Sequence, residues 1–212
     1  MKLLLFIITL LMSLKGFAQQ NIPFDSSMWK VLTYNKIPSN QVEFEKQEML
    51  IKVQSSAGPI VFKLPELKKV KLVRIKGRFK GHKNVESGDF DEDSILRIGL
   101  VATGDKKLNA FYRMISPQWV KELFELAPKN YGLDKIFFLN FTDRKELLHR
   151  ERFHPKSELI HEKMVYFIDK EGYFDAEIPF DESKQIAALW ISTDGDDTAS
   201  SFEVQISALQ LL

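Results

Sequence analysis

Two neighbouring stretches near the end of the chain follow different rules of side-chain alternation, and together they constrain the fold class. Ile186 to Thr193 is apolar at both odd and even positions, so an extended strand here needs cover on both faces. From Phe202 to Ala208 the apolar residues hold even positions while Glu203, Gln205 and Ser207 hold the odd ones, the pattern of a strand buried on one face. The apolar positions then move to Leu209 and Leu211, a phase slip that a single β-bulge absorbs. A central strand covered twice, followed by a strand covered once, points to layered sheets.

The rest of the chain repeats the theme. Trp29 to Tyr34, Val42 to Lys46, Met49 to Ser55 and Ile60 to Leu64 read as short strands, separated by turn signals such as Ile37-Pro38-Ser39-Asn40 and Gly58-Pro59. Pro59 cannot donate to a ladder, which restricts it to the beginning or edge of a strand. Lys71 to Lys80 alternates most cleanly, with Val73, Ile75 and Phe79 on one face and Arg74, Lys76, Arg78 and Lys80 on the other. Ile95 to Thr103, Lys135 to Phe141, Met164 to Asp169 and Tyr173 to Phe180 continue the series. Ser116-Pro117 reads as a helix start, serine as N-cap and proline at the first helical position. Val120, Leu123, Phe124 and Ala127 then recur at helical spacing until Pro128 ends the segment. Thr142 to Phe153 is polar and ambiguous between helix and loop, and we read it as helix. Around ten short strands with one inserted helical segment predict a mainly β protein: a two-sheet antiparallel β-sandwich of the jelly-roll or galactose-binding-like kind.

The first eighteen residues are set apart from this pattern. Lys2 supplies a positive start, Leu3 to Leu14 a short apolar core, and Gly16-Phe17-Ala18 the small residues that a signal peptidase reads. An apolar core of twelve residues falls short of the roughly 20 a spanning helix needs. We therefore expect cleavage after Ala18 and a bacterial periplasmic or secreted protein that does not span the membrane. Removing residues 1–18 of 212 leaves 194, a length that fits a single sandwich domain over residues 19–212. Without Lys2 and Lys15 the 30 basic residues become 28 against 29 acidic ones, so no global charge argues for nucleic acid. The chain has no cysteine, which removes disulfides, thiol chemistry and zinc-thiolate sites and leaves stability to burial.

Three stretches carry a family likeness. Trp29 with Thr33-Tyr34 leads to Ser55-Ser56-Ala57-Gly58; Asp91-Glu92-Asp93 leads into Leu96-Arg97-Ile98; and Ile191-Ser192-Thr193-Asp194, with Asp196 and Thr198, leads into the last strand. In that order they resemble an uncharacterised exported bacterial family, domain of unknown function 3047. The family pattern has tryptophans in the strand at Leu72 to Phe79, where this chain has none, and the helix from Ser116 to Ala127 is an addition to it. The resemblance implies a jelly-roll sandwich similar to carbohydrate-binding modules, outside the cytoplasm, with no established activity.

Several residue groups are candidates for function, each with a plainer structural reading beside it. Asp194, Asp196, Asp197 and the Thr198 hydroxyl form an oxygen-rich loop that can supply part of a structural calcium site, since calcium takes six to eight oxygens. The simpler reading is a hairpin turn whose aspartates bond their own loop amides. From Lys63 to Lys83 there are nine Lys and Arg residues against Glu66 alone, and Arg74, Lys76 and Arg78 share one strand face at intervals of about 6.6 Å, a spacing that can track an acidic polysaccharide. The loop Gly81 to Ser94 answers with five acids, among them Asp91 and Asp93, and its composition predicts mobility and mutual neutralisation with the stripe. Arg97 is the charged residue in the strand Ile95 to Thr103 that follows and joins Asp91 and Asp93 as a candidate for binding. Asp175 and Glu177 share a strand face with Tyr173, the arrangement of a paired-carboxylate glycosidase, or simply the wet face of an edge strand. His149, His154 and His161 are spaced by five and seven, which misses the i, i+4 pairing of a helical zinc site. G-x-S-x-G and Gly-rich phosphate loops are absent from the sequence. Asn140-Phe141-Thr142 satisfies the glycosylation sequon. Of the three tryptophans, Trp119 and Trp190 read as core, and Trp29 as the one to test at the surface.

The sequence therefore predicts an exported, non-catalytic binding or envelope-associated sandwich that requires no cofactor, with a glycan or polysaccharide as the natural partner. A hydrolase acting on polysaccharide and a structural partner of another envelope protein are the alternatives. The first rests on fold-level analogy.

Overall fold

The computed structural model describes residues 19–84, 90, 93–155, 157–169, 171–180 and 183–212. In chain order the strands are β1 (Gln20–Asn21), β2 (Trp29–Val31), β3 (Gln41–Glu45), β4 (Glu48–Gln54), β5 (Ala57–Lys69), β6 (Leu72–His82) and β7 (Leu96–Gly104). Two helices follow, α1 (Ala110–Ile115) and α2 (Gln118–Leu126). The chain then forms β8 (Gly132–Thr142), β9 (Glu151–His154), β10 (Ser157–Phe167), β11 (Gly172–Pro179), β12 (Gln185–Asp194) and β13 (Ser201–Leu211). They make two sheets. One has the order β11-β6-β13-β4-β3, with β1 on β13; the other runs β2-β5-β12-β7-β8-β10-β9.

The two periodicities at the end of the chain are explained by this layering. β12 lies inside the seven-stranded sheet between β5 and β7. Its Leu189 and Ile191 enter the core between the sheets, while Ala188 and Trp190 enter a second core on the outer face. β13 lies in the other sheet between β6 and β4, with one face in the inter-sheet core. Its register shifts between Ile206 and Ala208, and Leu209 and Leu211 beyond the shift are buried, so the bulge expected from the phase slip is present. The expected alternation of β6 is also present, and Pro59 sits third in β5, ahead of the pairing with β2 that starts at Ile60.

α2 closes the second core. Leu123 and Leu126 pack with Val61, Val101, Ile136 and Ala188 on the outer face of the seven-stranded sheet. Lys30 and Lys63 fasten the helix from below, Lys30 Nζ lying 2.5 Å from Glu122 Oε2 and Lys63 Nζ donating to the Glu125 carbonyl at 3.3 Å. The helix begins one residue later than expected: Pro117 holds the N-cap position in an extended conformation, and no side chain caps the helix. The sequence reading missed α1, a single short helix that leaves Phe111, Met114 and Ile115 exposed.

Four further expectations change. Ladders are antiparallel throughout except β8 with β10, which run parallel because the chain leaves β8, forms β9 at the sheet edge and returns between the two. Thr142 to Phe153 is not a helix but a 3-10 turn at Lys145–Leu147 followed by β9, since Leu147 is pinned in a small buried cluster with Phe90 and Met164. The acidic loop after Asp194 is not a hairpin, because β12 and β13 belong to opposite sheets and the loop carries the chain across the sandwich. Trp29 is buried: its indole donates to the Pro23 carbonyl at 2.8 Å, and its ring packs on Phe24 and Phe62. Residues 1–18, the proposed signal segment, lie outside the described residues. Among the described residues no helix is long and apolar enough to cross a membrane.

Candidate functional site

The outer face of the seven-stranded sheet is read most easily as rows across the strands. Ala188, Val101, Ile136 and Ile160 form an apolar row beside α2. The next row is Trp190, Gly99, Phe138 and Glu162, ending on Arg152 of β9. After it come Ser192, Arg97, Asn140 and Met164, and beyond Ser192 the strand ends at Asp194. The surface thus grades along the strands from apolar to charged. Gly99 makes the middle row close: a Cβ there would lie 2.7 Å from the Phe138 ring, 2.8 Å from Ile136 and 3.0 Å from Trp190. With only hydrogen at that position, the three side chains close over β7.

Over these rows lies a groove of about 710 Å³. Trp190, Phe138, Ile136 and Ile160 line it from the sheet, Pro117 and the half-buried Trp119 from the start of α2, and Tyr34 to Ile37 from the segment after β2. Its polar lining is Arg97, Glu162, Ser192, Asp194, Asp196, Asp197, His154 and Ser157. The Tyr34–Ile37 segment is followed at once by a buried anchor. Asn40 donates to the Thr193 carbonyl and hydroxyl at 3.0 and 2.9 Å and accepts from the Ser56 hydroxyl at 2.6 Å.

The charged end of the groove joins residues that the sequence offered as separate candidates. Arg97 Nη1 lies 3.0 Å from Asp194 Oδ2. Carboxylate oxygens of Asp93, Asp194 and Asp196 all lie within 4.8 Å of one another. Asp93 is fully buried, and its Oδ2 accepts both the backbone amide (2.7 Å) and the hydroxyl (2.5 Å) of Thr198. Thr198 in turn meets the buried Ser200 hydroxyl, which accepts the Asn84 amide at 2.9 Å. Burial pushes the Asp194 carboxyl up to about 8; Arg97 opposes this, and the hydrogen bond with Asp196 and the charges of Asp93 and Asp196 add to it. Burial likewise pushes the Tyr34 phenol up to about 12, with Asp194 next in effect. Arg97 is disfavoured by burial, but Asp194 and Glu162 outweigh that and hold its pKa above the usual value. Glu162 is buried and bound by Arg152 at 2.8 Å, and Arg152 lies over the Phe90 ring at 3.9 Å.

The three carboxylates are the oxygen donors available to a cation. The group differs from the expected calcium loop: Asp93 joins Asp194 and Asp196, Asp197 does not, and the Thr198 hydroxyl is turned to Asp93. Among the described residues no group of three or more metal-ligating side chains includes a histidine.

The other candidates lie elsewhere. Arg74, Lys76 and Arg78 stand on the outer face of the six-stranded sheet, opposite β11. There Arg74 pairs with Glu177, Lys76 Nζ lies 2.7 Å from Asp175, and Arg78 lies 5.4 Å above the Tyr173 ring. The basic stripe and the carboxylate pair are therefore two sides of one exposed ladder. Asp91 lies outside the described residues. Asn140 of the sequon is fully buried in β8.

No protein-family model matches the chain, and no curated protein does. Solved structures do. The chain is similar to a family 11 carbohydrate-binding module from Clostridium thermocellum, in complex with a beta-1,3-1,4-mixed-linked tetrasaccharide, at 10% identity and a TM-score of 0.44, covering 93% of this chain and 97% of that one. It is also similar to CBM86, a low-affinity xylan-binding module from Roseburia intestinalis, at 11% identity and a TM-score of 0.38, covering 92% and 95%. A third is CBM29_1, a family 29 carbohydrate-binding module from Piromyces equi, at 8% identity and a TM-score of 0.36, covering 92% and 89%.

Sequence reasoning did not single out Phe138, Tyr34 or Glu162, and it placed Trp119 in the core, on which it packs, without placing it at the groove. A signal existed in two strands. Ile136, Phe138 and Asn140 on β8, and Trp190, Ser192 and Asp194 on β12, each pass from apolar to polar along one face, while Asn140 and Ser192 stay buried.

Proposed function

We propose that this chain is an exported, non-catalytic glycan-binding β-sandwich whose ligand lies in the groove on the outer face of the seven-stranded sheet. One observation carries the reading: the partly buried Trp119 stands at the wall of a groove whose floor is the buried Trp190 and Phe138 and whose far end carries a set of hydrogen-bonding side chains. Sugar rings offer apolar C–H faces and a rim of hydroxyls, and an aromatic platform beside fixed polar groups matches both. The volume falls within the range of ligand clefts, ~300–1,000 Å³. Export rests on Lys2, the apolar run Leu3 to Leu14 and Gly16-Phe17-Ala18. The likeness to domain of unknown function 3047 belongs to the same proposal.

Affinity electrophoresis in gels containing soluble polysaccharides tests it. Retention by at least one glycan, weakened about tenfold or more in Trp119→Ala with an unchanged melting temperature, supports the groove. Retention untouched by Trp119→Ala moves the ligand elsewhere, and no retention by any glycan removes the reading. Export is checked by fractionating the native host and sequencing the mature N-terminus, expected at Gln19.

A further inference from the structure

We infer that the groove selects an uncharged glycan and rejects polymers bearing carboxylate or sulfate groups. This rests on the groove being the glycan site and adds the chemical class of the ligand. Among the described charged residues lining the groove, Asp194 is paired with Arg97 and Glu162 with Arg152, while the Asp196 and Asp197 carboxylates stand at the rim with Lys36. Arg97 is already engaged with Asp194 at 3.0 Å and sits in the field of Glu162. An acidic sugar seated against Trp119 would bring its charge beside the Asp196 and Asp197 rim.

Such a charge would also have to leave water. Near a protein surface like charges a few ångströms apart repel enough to separate acidic from neutral ligands by about tenfold at low salt. Sugar hydroxyls have the opposite relation to the same groups. They donate to the carboxylates and accept from Arg97 and Ser192, so an uncharged ring uses the polar lining without repulsion. A divalent cation at Asp93, Asp194 and Asp196 would offset the negative charge on which the rejection rests, so the preference for uncharged ligands is expected in chelator and is expected to narrow in calcium. The basic stripe offers no competing surface of this shape: Arg74, Lys76 and Arg78 stand on the opposite sheet, each facing a β11 partner.

The test pairs neutral polymers with their own acidic derivatives: glucan, xylan and mannan, each unmodified and each oxidised or carboxymethylated, titrated calorimetrically at low and high salt in chelator and again in calcium. The expected result is binding of at least one neutral polymer, with its acidic derivative weaker by about tenfold at low salt in chelator and the gap closing as salt screens the rim. Asp196→Asn with Asp197→Asn is expected to narrow the same ratio. Equal binding of the neutral and acidic members in chelator at low salt, or binding of the acidic member alone, overturns the selectivity while leaving glycan binding in place. Failure of every polymer in the panel to bind overturns the selectivity together with the reading on which it rests.

Discussion

Thr198 donates both its backbone amide and its hydroxyl to one oxygen of Asp93, which ties the sheet-crossing loop after β12 to the segment just before β7. The two residues are 105 positions apart in sequence. Because Asp93 is fully buried, it acts here as the anchor of the acidic end of the groove. Asp93→Ala is expected to cost ~2–3 kcal/mol, through two lost charge-assisted hydrogen bonds and a stranded amide. Asp93→Asn keeps an acceptor and lessens the crowding with Asp194 and Asp196, so it should lie within ~1 kcal/mol of wild type. Urea unfolding with an unchanged slope reads both, and equal losses for Ala and Asn would contradict the anchoring role.

Gly99 allows Phe138, Ile136 and Trp190 to close the floor of the groove, and no larger residue fits without displacing them. Gly99→Ala is expected to cost ~1–3 kcal/mol and to alter the near-ultraviolet signal of the tryptophans as the rings tilt. Glycan retention should fall with it. A variant with wild-type stability and retention would show that the floor yields without consequence.

Lys76 and Asp175 are paired across β6 and β11, yet both side chains are more than half exposed. Water screens such a pair and its long side chain loses freedom, so a double-mutant cycle through Lys76→Ala and Asp175→Ala should give a coupling of no more than ~0.5 kcal/mol. No polysaccharide binding should change. Loss of retention in either single variant would transfer the ligand to the six-stranded sheet.

The acid group at Asp93, Asp194 and Asp196 is read directly by a calcium titration. A bound ion would relieve the crowding of three carboxylates, and calcium at a hundredfold excess over its Kd would then add about 2.7 kcal/mol to stability. The melting temperature is expected to rise by several degrees, to return on chelation, and not to rise in Asp196→Asn. A flat response in wild type would leave Arg97 as the counter-charge of the group.

Much of the sandwich is legible in alternation alone. The doubly covered β12, the one-sided β13 with its bulge, and the alternating β6 all follow from which side chains water rejects, a property each residue carries locally. The parallel pairing of β10 with β8 is not legible, because it depends on where a short edge strand sends the chain. The burial of Trp29 is not legible either, because it depends on Phe24 and Phe62, whereas Trp119 packs on the outer core as its helical position suggests and also reaches the groove wall.

The candidate site divides along the same line. By itself the sequence determined most of the strands, the two-sheet layering and the residue types that do chemistry: Arg97, Asp93 and the acids after β12 were all singled out, while β1, β9 and the first half of β10 were not. Only the tertiary structure decided that these form one charged end of one groove, while Arg74 and Lys76 pair with the β11 acids and Arg78 covers Tyr173 on the far sheet. Hydrophobic periodicity is a property of neighbouring residues, whereas a site is a set of distances between residues brought together from opposite ends of the chain, and those distances are fixed only when the two sheets and the loops between them have packed.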